Sequence, residues 1–275
     1  MLNQTDYIYS NPESRRKGSG NLIPFINYQK PAPARCLDML LAKYNGEPFQ
    51  SEVLMEAMDT VRIPNLKCPL KDAVILVITD GGLVPKGNPD RIPSTNAGRY
   101  GVYDIRGKLR LEKEEYEVCH QGYDNRYVEE DPNRLVPVDA LRELERCGKI
   151  GKLYDSFIAT TGVMTSAEKS IRLGRRIASY VMEKQVDAVI ITSACGTSTR
   201  CGAYIGKELE LKGIPVVQVT NLTQIAVDTG ISRVIKGDNV CYPFGKPSLA
   251  GQREYLYRVQ MAEDAVQRLQ EYRKK

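Results

Sequence analysis

From residue 73 onward, short apolar runs alternate with longer amphipathic stretches. Residues 73–79 (AVILVIT), 187–193 (DAVIITS) and 215–220 (PVVQVT) are apolar and rich in β-branched side chains. That is the pattern of strands buried on both faces. Residues 157–161 and 231–235 read as two further strands. Between them, 138–147, 166–184, 199–212 and 223–229 carry helical spacing. Asp139 is the expected cap of the first of these helices and Gly148 its stop. Residues 248–273 predict one long terminal helix, with Leu256, Val259, Ala262, Val266 and Leu269 on a single stripe. Alternating strands and helices predict parallel βαβ units. The expected fold class is therefore α/β, a Rossmann-like parallel sheet flanked by helices. Residues 80–105 are rich in Gly and Pro at their start and have no period, which predicts a long functional loop.

The first 70 residues read differently. Pro31-Ala-Pro33 precedes a helical pattern at Leu37, Leu40, Leu41 and Tyr44, and a second follows at Val53, Leu54, Ala57, Met58 and Val61. The polar stretch with Arg15, Arg16 and Lys17 reads as solvated surface. The expected division is a partly helical N-terminal extension (1–70) and an α/β catalytic domain (71–275).

Composition narrows the function. The chain has 275 residues, 42% hydrophobic and 27% charged, as expected of a globular protein. The net charge of +5 comes from interspersed Lys, Arg, Asp and Glu and does not call for nucleic acid. No run of ~18 apolar residues suggests a membrane span, and the first residues do not resemble a secretory leader. Seven cysteines, an odd number at irregular spacing, fit free thiols in a reducing cytoplasm. With one histidine, a two-histidine zinc site within the chain is excluded. A zinc site from Cys119, His120, Cys195 and Cys201 has the wrong spacing, so no metal is expected. There is no phosphate-loop or Gly-x-Gly-x-x-Gly signature to support a nucleotide.

In parallel α/β sheets, sites lie at the carboxyl ends of strands. Two loops are picked out, 80–88 and 193–201. In the second, a buried strand runs into Ser193-Ala-Cys195-Gly-Thr-Ser-Thr-Arg-Cys201. Thr197, Ser198 and Thr199 are good helix N-caps. A thiol just ahead of a helix start meets unpaired N–H groups and the positive end of the helix dipole, which would stabilise a thiolate. Arg200 would add to this. The plainer alternative is that Cys195 is a small buried hydrophobe.

This loop resembles that of the B-component selenoprotein of the glycine, sarcosine and betaine reductases, and of its shorter relative in D-proline reductase. The family loop reads selenocysteine-x-x-Cys-x-x-Cys followed by Gly-Ala; here it reads Cys195-Gly-Thr-Ser198-Thr-Arg-Cys201-Gly-Ala. The resemblance extends to Gly81-Gly-Leu-Val-Pro-Lys-Gly-Asn-Pro-Asp-Arg-Ile-Pro93, His120-Gln-Gly-Tyr-Asp124, Glu130-Asp-Pro-Asn-Arg134, Gly148-Lys-Ile-Gly-Lys152, Gly213-Ile-Pro-Val-Val-Gln-Val and Tyr242-Pro-Phe-Gly-Lys-Pro. Two departures stand out: cysteine replaces the selenocysteine, and Ser198 replaces the middle cysteine.

The resemblance implies reductive cleavage of a C–N or related bond of a small amino acid or betaine-like substrate. Carried over, Cys195 is the nucleophile and Cys201 the candidate resolving thiol. His120 is inferred to be a general acid for the leaving amine; the alternative is a structural hydrogen-bonding residue, with Asp124 and Asp131 as candidate partners. Asp80, Gly81, Gly82, Lys86, Thr197, Ser198 and Arg200 are the expected substrate-binding residues. Lys86 or Arg91 would hold a carboxylate. No cofactor is expected in this chain, and a pyruvoyl group would come from a partner subunit. Other reductase subunits are expected partners, in a homo- or hetero-oligomer. The competing readings are a non-catalytic scaffold subunit and a thiol-disulfide oxidoreductase.

Overall fold

The computed structural model describes residues 26–50, 52 and 63–270. The chain divides into two units, 1–58 and 59–275. In the first, helix α1 (Ala32–Asn45) starts on Pro31 and ends at Gly46, whose φ of 72° is the left-handed conformation of a helix C-cap. Its apolar residues Leu37, Leu40, Leu41 and Tyr44 are exposed. The second helical pattern expected around Val53–Val61 lies outside the described residues.

The second unit is built on a seven-stranded sheet. Strands β1 (Val74–Thr79), β2 (Leu83–Pro85), β3 (Gly101–Asp104) and β4 (Tyr116–Val118) come first. Helices α2 (Arg126–Glu130) and α3 (Val138–Arg146) follow, then β5 (Lys152–Leu153), β6 (Ser156–Ala159) and α4 (Ala167–Glu183). Next are β7 (Ala188–Thr192), α5 (Gly196–Leu211), β8 (Val216–Thr220), α6 (Thr223–Thr229), β9 (Val234–Lys236) and α7 (Gly251–Arg268). The sheet order is β3-β6-β1-β7-β8-β9, with β5 also on β1. The pairings are parallel except at the β3 edge, which runs antiparallel to β6. The expected α/β, Rossmann-like class is the one observed.

Strand alternation sorts the core into two layers. Ile75 and Val77 of β1 and Ala188 and Ile190 of β7 face α3 and α7. Leu76 and Ile78, with Val189 and Ile191, face Leu173 and Ile177 of α4 and Ile205 and Leu209 of α5. From β1 the chain moves outward to β6; from β7 it moves outward the other way to β8 and β9. The connections therefore diverge between β1 and β7, which opens a crevice at their carboxyl ends.

Three expectations are corrected. Residues 80–105 are not one loop: they contain β2 and β3, short strands fixed by pairing with β4 and β6 rather than by any local period. Helix α3 begins on Pro137, which makes no side-chain cap bond, and Asp139 lies inside the helix. The terminal helix starts at Gly251, after a 3₁₀ turn at Pro247–Leu249. Its Leu256 is 56% exposed, and the buried face carries Glu254, Arg258, Met261, Ala262, Ala265 and Val266. Glu254 forks onto Arg134 (2.9 Å for both bonds), and Arg258 reaches Asp131 (2.6 Å) and Asp139 (3.2 Å). The first half of α7 thus docks through buried ion pairs and the second half through apolar contact.

Candidate functional site: a thiol at the sheet's crevice

Helix α5 starts earlier than its cap-like sequence suggests. Cys195 itself is the N-cap residue, with extended backbone (φ −72°, ψ 176°) and no side-chain cap bond. Its carbonyl accepts the first helical bond from Thr199 N–H (2.8 Å). The three hydroxyls expected to cap the helix are spent on tertiary bonds instead. Thr197 Oγ1 accepts from the Met164 N–H (3.0 Å), Ser198 Oγ meets His120 Nε2 (2.7 Å), and Thr199 Oγ1 pairs with Thr220 Oγ1 (2.8 Å). The Cys195 thiol is left half-buried, with Thr197 Oγ1 at 3.7 Å and His120 Nε2 at 3.8 Å.

His120 arrives from the small β2–β4 ribbon, anchored where the Cys119 N–H bonds Gly82 O (2.9 Å). The Gly122 N–H donates to His120 Nδ1 (2.9 Å). Since Nδ1 accepts, the neutral ring carries its proton on Nε2 and donates toward Ser198 Oγ and Cys195 Sγ. The Ser198 hydroxyl in turn donates to the Asp80 carbonyl (3.3 Å). Burial pushes the His120 pKa down to about 4. Asp124 and Asp131 are not its partners: Asp124 pairs with Arg126 (2.7 Å), and Asp131 is held by Arg258.

That burial carries a stability prediction. The folded-state value of about 4 lies below the unfolded ~6.5. The cost is therefore absent above pH 6.5 and grows as pH falls toward 4, reaching at most about 3 kcal/mol. His120→Gln should remove this component. Urea denaturation at pH 7 and pH 4 should show a smaller acid loss for the variant, and an equal loss would refute the assignment.

The other expected residues divide. Gly81 and Gly82 are buried: the Tyr123 hydroxyl donates to Gly81 O (2.8 Å), and the Tyr123 ring lies tilted at 50° to that of His120, 4.8 Å away. Gly82 has φ 77°, and a Cβ there would come 2.9 Å from His120 Cβ. Asp80 is fully buried beneath the site rather than open to a substrate. Arg200 donates to Thr165 O (3.1 Å), holding the turn that carries Met164. Lys86 is exposed on the turn after β2, where its N–H bonds Glu115 O (2.8 Å), and the described contacts do not bring it to the thiol. Cys201 is completely buried, and burial pushes its pKa up to about 12. A regular helix places it about 9 Å along the axis from Cys195, beyond disulfide reach. Pairing the two would require opening the first turns of α5.

Sequence reasoning missed Gly122, Ser193, Gly202 and Gln218. A Cβ at Gly122 would lie 2.7 Å from His120 Cε1 and 3.0 Å from Cys195 Sγ, so this glycine lets the imidazole and thiol meet. The signals were faint: a glycine two residues after the only histidine, a glycine inside a helix, and one amide in an otherwise apolar strand.

Fold and site together define an α/β protein with a half-exposed thiol at the topological switch point, buttressed by one neutral histidine. The model of the glycine/sarcosine/betaine reductase selenoprotein B family matches residues 20–194, and the chain belongs to that family. It is similar to a glycine reductase complex component B subunit gamma of Carboxydothermus hydrogenoformans, at 43% identity over 86% of this chain and 54% of that protein. A betaine reductase complex component B subunit beta of Peptoclostridium acidaminophilum is 42% identical over 86% of this chain and 55% of its own length. A D-proline reductase subunit gamma of Acetoanaerobium sticklandii is 29% identical over 60% of this chain and 67% of its own length. The chain spans about half the length of the glycine and betaine reductase relatives it matches. No solved structure matches it.

Proposed function

We propose that this chain is the thiol-bearing subunit of a reductase complex that cleaves a C–N, or related carbon–heteroatom, bond of a small amino acid or betaine-like substrate. The observation that supports this most is the placement of Cys195: half-exposed, at the N-cap of α5, with the His120 N–H facing its sulfur.

The Cys195 thiolate attacks the substrate carbon. A C–S bond forms as the C–N bond breaks, and the bonding pair leaves with the nitrogen, which takes up a proton. Over the full cycle hydrogen replaces the amine at that carbon, and an external dithiol is oxidised to a disulfide. Burial, which pushes the His120 pKa down to about 4, keeps the ring largely neutral at pH 7. His120 therefore serves better as a fixed N–H donor to the sulfur than as the acid for the departing amine.

In this reading the pyruvoyl group is carried by a partner subunit and would approach Cys195, which is only partly buried. When bound, such a group withdraws electrons from the amine-bearing carbon. The setting is a reducing cytoplasm, and no helix among the described residues is long and apolar enough to cross a membrane.

The test is site-resolved alkylation of the reduced, folded protein, followed by mass spectrometry from pH 5 to 9. Cys195 should react at least tenfold faster than the other thiols at pH 7. If it is no faster, the nucleophile reading fails and the scaffold reading takes its place.

A further inference from the structure

Behind Cys195, at the carboxyl end of β1, lies a carboxyl group with no access to solvent. Asp80 is 0% exposed. The Ser193 hydroxyl bonds its Oδ2 at 2.5 Å, and Gln218 Nε2 donates both to Ser193 Oγ and to Thr199 O, at 2.8 Å each. The Asp80 main-chain carbonyl accepts from Ser198, the residue that bonds His120. Helix α5 gives up a side chain to admit this cluster. A Cβ on Gly202 would lie 2.3 Å from Asp80 Oδ2, 2.6 Å from Ser193 Oγ and 2.9 Å from Gln218 Nε2. Asp80 is thus tied to both residues that frame the thiol turn, Ser193 before it and Ser198 after it.

We propose that Asp80 is a positioning residue for Cys195, acting through Ser193 and Ser198 as an uncharged acid. Its described hydrogen-bonding partners are all neutral, and a buried carboxylate without a cation is strongly disfavoured. Burial accordingly holds its carboxyl well above the usual range, against the opposing hydrogen bonds of Ser193, the Ala194 N–H and Ser198. The other titratable groups facing this region are Cys201, Tyr123 and His120, and burial displaces each toward its neutral form. The chemical consequence is specific. An ionised Asp80 would oppose a thiolate at Cys195, whereas the protonated acid orders the turn without adding charge.

The inference rests on Cys195 being the nucleophile, but its test reads the thiol and not turnover. Cys195 alkylation by iodoacetamide is followed from pH 5 to 9 in the wild type, Asp80→Asn, Asp80→Ala and Ser193→Ala, with thermal melts confirming the fold. Asp80→Asn should keep the wild-type rate within twofold and leave its pH midpoint unmoved. Asp80→Ala, or Ser193→Ala if the former does not fold, should slow Cys195 at least fivefold. A midpoint moved by a pH unit or more in Asp80→Asn would overturn the uncharged state. Unchanged reactivity in the alanine variants would overturn the positioning role. If wild-type Cys195 is itself no faster than the other thiols, the nucleophile reading fails instead.

Discussion

Cys195→Ala should abolish turnover by the reconstituted complex while leaving the protein as stable as before. The separation is expected because the thiol has no structural duty. It is half-exposed and makes no cap bond, and the backbone of residue 195, not its side chain, accepts the first bond of α5. Loss of a covalent nucleophile costs on the order of 10³-fold or more in rate. Truncating a side chain without a packed or capping role changes stability by roughly 0.5 kcal/mol or less. Turnover with the partner subunits and a dithiol, read beside a urea melt, checks both halves. Residual activity above a tenth of wild type would remove Cys195 from the chemistry.

Gly202→Ala should be strongly destabilising although it adds only one methyl group. Inside a helix, alanine ordinarily stabilises relative to glycine by roughly 1 kcal/mol. Here the sign reverses, because the added Cβ meets Asp80, Ser193 and Gln218 at 2.3–2.9 Å. These groups are buried and bonded to one another, so yielding to the methyl means losing hydrogen bonds that no solvent replaces. Overpacking together with broken buried bonds gives a loss of about 2–4 kcal/mol. Urea denaturation should show it, together with slower Cys195 alkylation. A variant as stable as wild type would mean that α5 can shift away from β1 without cost.

The parts of the fold that were legible in the sequence are those with a local signature. β1, β7 and β8 announce themselves as apolar, β-branched runs, and α4 by its period; that Ser166 caps α4, accepting from the Lys169 N–H, is seen only in the structure. The short strands β2, β3 and β4 owe their existence to partners far along the chain, and three or four residues carry no period of their own. The start of α5 was misread because its hydroxyls look like caps. A sequence shows that a hydroxyl can cap a helix, but not that Met164, His120 and Thr220 compete for it. Asp80 was misread for the same reason: its position at a strand end was visible, but its inward direction was not. Likewise, the stripe expected along the last helix assumed apolar docking throughout, whereas ion pairs at Glu254 and Arg258 anchor its first half.

The site is gathered from segments around residues 80, 120, 195 and 218, brought together by the parallel strands β1, β7 and β8 and by the antiparallel β2–β4 ribbon. Such pairings close long chain loops, at a cost in loop-closure entropy that slows folding. Until they form, Cys195 has neither the imidazole beside it nor the buried acid beneath it. On a nascent or partly unfolded chain it is an ordinary thiol, no more prone than its neighbours to capture electrophiles or stray disulfides. The surroundings of Cys195 therefore exist only in the folded sheet unit and not in any single segment of it.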